Sequence, residues 1–108
     1  MKRCQVFQQP RPSFIYLLHF SAPVGHAQHY LGSTVDVEYR LAEHRSGQGA
    51  RLTQVAVQRG ATLLLVRTWH GGRNRERQFK EGYNHSFTRL CPLCHPGATG
   101  KRATLTMY

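Results

Sequence analysis

Five side chains in the first three quarters of the sequence have the types that phosphodiester hydrolysis requires. They are two phenols, a guanidinium, an imidazole and a carboxylate: Tyr16, Tyr30, Arg40, His44 and Glu76. The reaction needs an aligned water, neutralised charge on the non-bridging oxygens and a stabilised leaving alkoxide. Glu76 can serve as a metal ligand by itself, because Mg²⁺ keeps several waters and takes only one or two carboxylates. These residues predict a phosphodiesterase that uses one Mg²⁺ or Mn²⁺ ion.

The five side chains divide this chemistry between them. Arg40 is suited to bind the scissile phosphate with two parallel hydrogen bonds. A phenol, whose pKa is ordinarily about 10, can deprotonate water at neutral pH only beside a cation. Arg40 or the metal ion supplies that cation, and His44 can relay the proton. We favour Tyr16 as the base and Tyr30 as the partner of the phosphate, but the sequence does not separate the two.

Two apolar runs near the start of the chain predict a β-hairpin. In the run from Phe14 to Phe20, residues 14, 16, 18 and 20 share one face, and residues 15, 17 and 19 share the other. Pro23 and Gly25 predict a turn over residues 21–26, and residues 27–31 return as the second strand. Each tyrosine therefore lies on one strand of the hairpin.

The middle of the chain predicts three helices and one further strand. A helix over residues 36–45 has Thr34 or Asp36 as its N-terminal cap, and a shorter helix follows over residues 50–58. Residues 61–69 are rich in Leu, Val and Thr and predict a buried strand. Residues 73–83 predict the third helix. The fold class is α+β, with the element order β-β-α-α-β-α.

Helical spacing places three of the five candidates beside buried faces. Val37 and Leu41 form the apolar stripe of the first helix, with His44 almost on that stripe and Arg40 at its border. On the third helix, Glu76 shares a face with aromatic residues. A charge on an apolar face usually has a partner or a metal ion. This placement favours a functional site over a solvated surface.

The order of these motifs resembles that of the GIY-YIG nucleases, a family named after the two strand motifs of a hairpin. The two motifs stand here as Phe14-Ile15-Tyr16 and Tyr30-Leu31-Gly32. Phe14 replaces the first glycine of the family pattern, and Leu31 replaces an isoleucine. Arg40-Leu41-x-x-His44 resembles the family's next helix, and Glu76 matches the helix that supplies its metal-binding glutamate. Many members carry an asparagine after that helix, for which Asn84 is the candidate here.

The resemblance covers roughly residues 13–83 and implies both a fold and an activity. The implied fold is a small three-stranded antiparallel sheet flanked by helices, and the implied activity is metal-dependent endonuclease cleavage of DNA. We expect a flexible leader over residues 1–12, a nuclease domain over 13–90 and a tail over 91–108. Because no separate domain confers sequence specificity, we expect selection of a DNA structure or strand, with a homodimer or a protein partner as further options.

The charge of the chain favours a polyanionic partner. Fifteen Lys and Arg against five Asp and Glu give a net charge of +10, and ten of the fifteen basic residues follow residue 50. Twelve of them are arginine, which suits bidentate phosphate contacts better than lysine does. The alternative is a basic protein with no such function. The candidate DNA-binding residues are Arg40, Arg45, Arg51, Arg73, Arg75, Arg77, Lys80 and Asn84.

The cysteines predict a reducing compartment and a possible zinc site. Three cysteines, an odd number, argue against a disulfide framework and favour the cytoplasm. Cys91 and Cys94 in a Cys-x-x-Cys arrangement make half of a zinc site, which needs four ligands. His95 is too close to join them easily, and the remaining candidates are Cys4, His70 and His85. Two free thiols in a loop are the default expectation, and the zinc site is the alternative. No apolar run approaches the ~20 residues of a membrane span.

Three hypotheses from different classes follow from these patterns. The first is the endonuclease, the second a nucleic-acid-binding module that keeps the fold without cleaving, and the third a small zinc-binding interaction protein. Taken singly, each candidate residue has a structural explanation, such as an ordinary i, i+4 surface pair between Glu76 and Lys80. The conjunction of all five candidates favours the endonuclease.

Overall fold

A computed structural model describes residues 12–84 and 86–95 of the chain as an α+β domain. Strands β1 (Phe14–Val24), β2 (Ala27–Thr34) and β3 (Leu63–His70) form an antiparallel sheet in the order β2-β1-β3. Helices α1 (Val37–Arg45) and α2 (Arg51–Gln58) connect β2 to β3, and α3 (Arg73–Gly82) follows β3. A 3₁₀ turn at Thr88–Leu90 comes after α3. The predicted fold class and element order are confirmed.

The first strand is longer than the sequence predicts. It continues to Val24, and a turn at Gly25 and His26 leads directly into β2, so the turn predicted over 21–26 is shorter. The backbone N–H of Ser21 donates to the carbonyl of Thr62 at 2.9 Å, and the N–H of Thr62 donates to Oγ of Ser21 at 2.8 Å. These bonds to the segment before β3 hold residue 21 extended against its local preference.

Strand β1 is central in the sheet, and both of its faces are buried. On one face, Tyr16, Leu18 and Phe20 pack with Leu41 of α1 and Ala56 of α2. The other face contributes to a second buried cluster, which consists of Ile15, Leu17, Leu31, Val66, Phe87, Leu90 and Cys91. The alternation predicted for residues 14–20 therefore separates two hydrophobic clusters, one on each side of the sheet.

Strand β3 contains a β-bulge where it pairs with β1. Residue 17 of β1 pairs with Arg67 and residue 18 pairs with Leu65, which leaves Val66 as an extra residue in β3. Arg67 consequently lies on the same face of the sheet as residue 17, where it is 3% exposed. Its guanidinium stacks over the ring of Trp69, at 4.7 Å from the ring centroid.

The helices lie close to their predicted positions. The side chain of Asp36 accepts a hydrogen bond from the N–H of Tyr39 at 3.0 Å, which makes Asp36 the N-cap of α1. Leu41 and His44 are the buried residues of α1, as the apolar stripe predicts. Within the described ranges, none of the helices combines the length and the apolar character needed to cross a membrane.

The first residues of the predicted tail pack onto the domain. Cys91 is fully buried in the cluster around Ile15, and Cys94 packs against the same cluster. The backbone N–H of His95 donates to the carbonyl of Cys91 at 2.8 Å. Residues 1–11 and 96–108, together with His85, lie outside the described residues, so the predicted leader, most of the predicted tail, and Cys4 are not placed.

Candidate functional site

A pocket of about 490 Å³ is lined by residues of the hairpin, α1 and α3. Four of the five predicted catalytic residues line it, namely Tyr16, Tyr30, Arg40 and Glu76. His44 is fully buried and lies in hydrogen-bond contact with Tyr16. The fold thus brings together side chains from four different elements. The complete lining is Tyr16, Tyr30, Gly32, Ser33, Arg40, Arg73, Glu76, Arg77, Lys80 and Glu81.

A chain of hydrogen bonds runs from Tyr16 into the interior. The hydroxyl of Tyr16 lies 2.7 Å from Nε2 of His44, and Nδ1 of His44 lies 2.8 Å from Oγ1 of Thr53. The Thr53 hydroxyl donates its single proton to the carbonyl of Ala50 at 2.9 Å, since a carbonyl can only accept. With Nδ1 of His44 donating to Thr53, Nε2 accepts the hydrogen bond from Tyr16; the backbone N–H of Ala50, 3.4 Å from Nδ1, competes with this arrangement. No pattern in the sequence indicated a role for Thr53.

Both members of the Tyr16–His44 pair are neutral at physiological pH. Burial, reinforced by the guanidinium of Arg40, lowers the pKa of His44 to about 4. Burial and, to a smaller degree, the neighbouring Tyr30 raise the pKa of Tyr16 above its ordinary value. A neutral imidazole with a free Nε2 lone pair can accept the proton of the phenol. Tyr16 can therefore pass its own proton to Nε2 of His44 as its hydroxyl takes a proton from a molecule in the pocket.

Two glycines permit the close packing around this pair. A Cβ atom at Gly32 would lie 2.6 Å from the Tyr16 hydroxyl and 2.9 Å from Cε2 of Tyr30. A Cβ atom at Gly49 would overlap Nδ1 of His44. Gly32 is the last residue of the second strand motif, so its place in that motif has a steric reason. A side chain at either position would displace the ring that the site depends on.

Glu76 is held as an ionised carboxylate at the side of the pocket. Its Oε1 accepts a hydrogen bond from the hydroxyl of Ser33 at 2.6 Å, and its Oε2 forms an ion pair with Nζ of Lys80 at 2.9 Å. Burial raises the pKa of Glu76, but the hydrogen bonds from Ser33 and Lys80 outweigh burial and leave that pKa below its ordinary value. An ionised carboxylate is a hard oxygen ligand of the kind that Mg²⁺ and Mn²⁺ prefer.

Arg40 and Tyr30 complete the wall of the pocket opposite Glu76. Nη1 of Arg40 forms an ion pair with Oε1 of Glu43 at 2.9 Å, which restricts the guanidinium while part of it stays exposed. The ring of Tyr30 meets the ring of His44 edge-on, with 5.1 Å between their centroids. The i, i+3 spacing of Arg40 and Glu43 could have identified this pair from the sequence.

The predicted DNA-binding residues divide into two groups. Arg40, Arg73, Arg77 and Lys80 line the pocket, whereas four others do not: Arg45, Arg51, Arg75 and Asn84. Nη2 of Arg45 donates to the carbonyl of Leu63 at 2.7 Å, so this guanidinium is directed at the start of β3. The guanidinium of Arg75 lies over the ring of Phe79, 5.4 Å from its centroid. The phosphate contacts of both groups remain a prediction.

A second cluster of polar side chains lies on the opposite face of the sheet. His19 of β1 and His29 of β2 are direct cross-strand partners, and Cys91 and Cys94 approach them from the segment after the 3₁₀ turn. The four potential ligand atoms all lie within 4.8 Å of one another and could hold a metal ion. The two cysteines were predicted as a half-site, whereas the two histidines were missed.

Of the sequence-based candidates for the missing ligands, Cys4 and His85 lie outside the described residues, and His70 does not join this cluster. His70 instead packs against the ring of Phe14, with 5.1 Å between centroids, so its prediction as a ligand is wrong. His95 is exposed and is not part of the cluster. The register of the hairpin was the signal for the correct pair, because His19 and His29 can meet only if β1 and β2 pair at these positions.

Comparisons with protein families, with curated proteins and with solved structures find no match for this chain. The functional argument therefore rests on the two sites and on the resemblance of the sequence motifs.

Proposed function

We propose that this protein is a metal-dependent endonuclease that hydrolyses DNA phosphodiester bonds through a GIY-YIG-type site. The observation that carries the proposal is the convergence of Tyr16, Tyr30, Arg40 and Glu76 on one pocket, with His44 bonded to Tyr16. The buried imidazole and the tyrosine hydroxyl are bonded to each other at the edge of the pocket, where a proton can pass between them. A role in proton transfer explains why both groups are there.

Tyr16 acts as the general base in this proposal. Its hydroxyl takes a proton from the attacking water and passes its own proton to Nε2 of His44, 2.7 Å away. The imidazole then carries protons on both nitrogens, with Nδ1 still bonded to Thr53 at 2.8 Å. The water oxygen attacks phosphorus, and the bond from phosphorus to the leaving oxygen breaks. The relay avoids a free phenolate, which the raised pKa of Tyr16 disfavours, but it forms a buried imidazolium, which the lowered pKa of His44 also disfavours. The step therefore needs the negative charge of the bound phosphate beside this pair before the proton moves.

Arg40 binds the scissile phosphate and stabilises the charge that grows on its non-bridging oxygens. Its guanidinium is oriented by Glu43 and lines the pocket beside Tyr16. Tyr30, which is half-buried in the same wall, offers a hydroxyl to the phosphate. This assignment gives the two tyrosines different roles, and their different hydrogen-bond environments support it.

Glu76 holds the Mg²⁺ or Mn²⁺ ion in this proposal. Its carboxylate is ionised and lines a pocket large enough for waters and substrate oxygens, which would complete the coordination. The ion would neutralise negative charge on the phosphate and stabilise the leaving alkoxide. Lys80 keeps the carboxylate ionised until a divalent cation competes for Oε2. The Cys91–Cys94 pair holds a separate ion, for which we propose Zn²⁺.

The substrate class follows from the charge at the pocket. Arg73, Arg77 and Lys80 of α3 line the pocket together with Arg40, which sets four cations around one catalytic position. Such a set suits the successive phosphates of a nucleic acid backbone, whose contacts carry no sequence information. We therefore propose DNA selected by strand or structure and not by base sequence.

The test is cleavage of labelled single-stranded, duplex and branched DNA in Mg²⁺ or Mn²⁺ by the wild type, Glu76→Gln and Glu81→Gln. Both variants remove one carboxylate charge from the same pocket, but Glu76 is half-buried and bonded to Ser33, whereas Glu81 is exposed. We expect Glu76→Gln to abolish cleavage and Glu81→Gln to retain it. Tight, salt-sensitive binding by all three proteins without any cleavage would replace the enzyme with a non-catalytic DNA-binding module.

A further inference from the structure

The cluster of His19, His29, Cys91 and Cys94 is built from three separate segments of the chain. Nδ1 of His19 lies 3.3 Å from Nε2 of His29 and 3.5 Å from each of the two sulfur atoms. Nε2 of His29 lies 3.4 Å from Sγ of Cys94. Cys91 is fully buried and His29 is 8% exposed, so the cluster is sheltered from solvent.

Hydrogen bonding alone does not account for this arrangement. Nδ1 of His19 is approached by three heavy atoms, yet a ring nitrogen carries either one proton or one lone pair. At most one of the three contacts can be a good hydrogen bond. Four donor atoms that converge around one point are instead the arrangement expected around a cation.

Four of the six separations among these atoms match the edges of a tetrahedron around zinc, and the other two are within 4.8 Å. Bond lengths of about 2.3 Å to sulfur and about 2.05 Å to nitrogen place two nitrogens about 3.3 Å apart and a nitrogen and a sulfur about 3.6 Å apart. The observed values are 3.3 Å between the two nitrogens and 3.4–3.5 Å for three nitrogen–sulfur pairs. Two thiolates and two imidazoles are also the ligand types that zinc selects.

We infer that these four residues form a closed structural zinc centre that fastens the segment after α3 to the β1–β2 hairpin. Four protein ligands fill the tetrahedral coordination and leave no open position for a substrate, so the centre stabilises the fold and takes no part in hydrolysis. It lies on the other face of the sheet from Tyr16 and Tyr30, because His19 and Tyr30 occupy opposite faces of the hairpin. The centre also explains why Cys91 and Cys94 turn back onto the core.

The zinc content of the purified full-length chain tests this inference. We expect about one zinc ion per chain in the wild type and in His95→Ser, and less than about a tenth of that in Cys94→Ser. His95 is the matched control, because it adjoins Cys94 in sequence but lies outside the cluster. Full zinc content in Cys94→Ser, or none in the wild type purified from zinc-supplemented medium, would overturn the assignment.

A second measurement covers the case in which the cysteine variant does not fold. Cobalt added to the metal-free wild type should give the intense visible bands of tetrahedral Co²⁺ and a thiolate charge-transfer band, both displaced by one equivalent of zinc. Weak octahedral bands without the thiolate band would contradict the ligand set. Zinc content and cobalt spectra do not depend on DNA cleavage, so a failure here is distinguishable from a failure of the proposed nuclease activity.

Discussion

Replacing Tyr16 with phenylalanine removes one oxygen atom from the centre of the proposed reaction. The ring stays in the core, where Tyr16 is 1% exposed, and only the hydroxyl bonded to Nε2 of His44 is lost. Nε2 is then a buried acceptor without a donor. Tyr30→Phe is the matched control, since Tyr30 lines the same pocket but is only half-buried, so its hydroxyl can bond to water.

The size of both effects follows from this hydrogen bond. Leaving a buried acceptor unsatisfied costs about 1–3 kcal/mol. In a domain of this length each kcal/mol lowers the melting temperature by about 4–8 °C, so we expect a decrease of about 5–20 °C for Tyr16→Phe. Loss of the general base should lower the cleavage rate by a further factor of about 10²–10⁴. Tyr30→Phe should change the melting temperature little and slow cleavage less.

The assay is single-turnover cleavage of a labelled DNA at a temperature where both variants are folded, with melting followed by circular dichroism. Measuring the rate under these conditions separates chemistry from stability. If Tyr16→Phe cleaves within about tenfold of the wild type, Tyr16 is not the base. If it also melts within about 2 °C of the wild type, the Tyr16–His44 hydrogen bond is not formed as described.

Three further substitutions test neighbouring parts of the site. Gly32→Ala should lower the free energy of unfolding, measured by urea titration, by about 1–3 kcal/mol, because the new Cβ would lie 2.6 Å from the Tyr16 hydroxyl. Gly82→Ala is the control: a Cβ there has no neighbour within 4 Å, so this variant should be as stable as the wild type or more stable. Ser33→Ala removes a hydrogen bond that lowers the pKa of Glu76, so that pKa should rise. Since cleavage needs the ionised carboxylate, the acid limb of the pH–rate profile should move to higher pH, and an unmoved limb would refute the role of Ser33. Arg77→Ala should reduce the slope of log Kd for DNA against log salt by about 0.9, and an unchanged slope would mean that Arg77 contacts no phosphate.

The pocket was largely predictable because its residues lie on elements with strong periodicity. Alternation along residues 14–20 places Tyr16 on the face that α1 covers, and the stripe of α1 places His44 on the side that meets it. Both inferences use only local spacing, which a single sequence contains. The order of the elements follows from the same local patterns, aided by the glycines and prolines that separate them.

The features that were missed depend on pairing between distant segments. His19 and His29 become neighbours through the hairpin register, and the cysteines contact them from 65–75 positions further along the chain. The hydrogen bond from Ser33 to Glu76 joins residues 43 positions apart, and no local pattern indicates it. The extension of β1 past Phe20 has the same origin, because Ser21 is held by the segment before β3 and not by its neighbours in sequence.

The bulge at Val66 also bears on how the protein avoids self-association. Strand β3 is an outer strand of the described sheet and begins with the apolar run Leu63-Leu64-Leu65-Val66. An apolar run of this kind promotes cross-β assembly when it forms a flat, regular edge strand. The extra residue breaks the regular spacing of the strand, and the buried charge of Arg67 follows it directly. An irregular ladder and an inward-pointing charge both oppose edge-to-edge aggregation at this apolar strand.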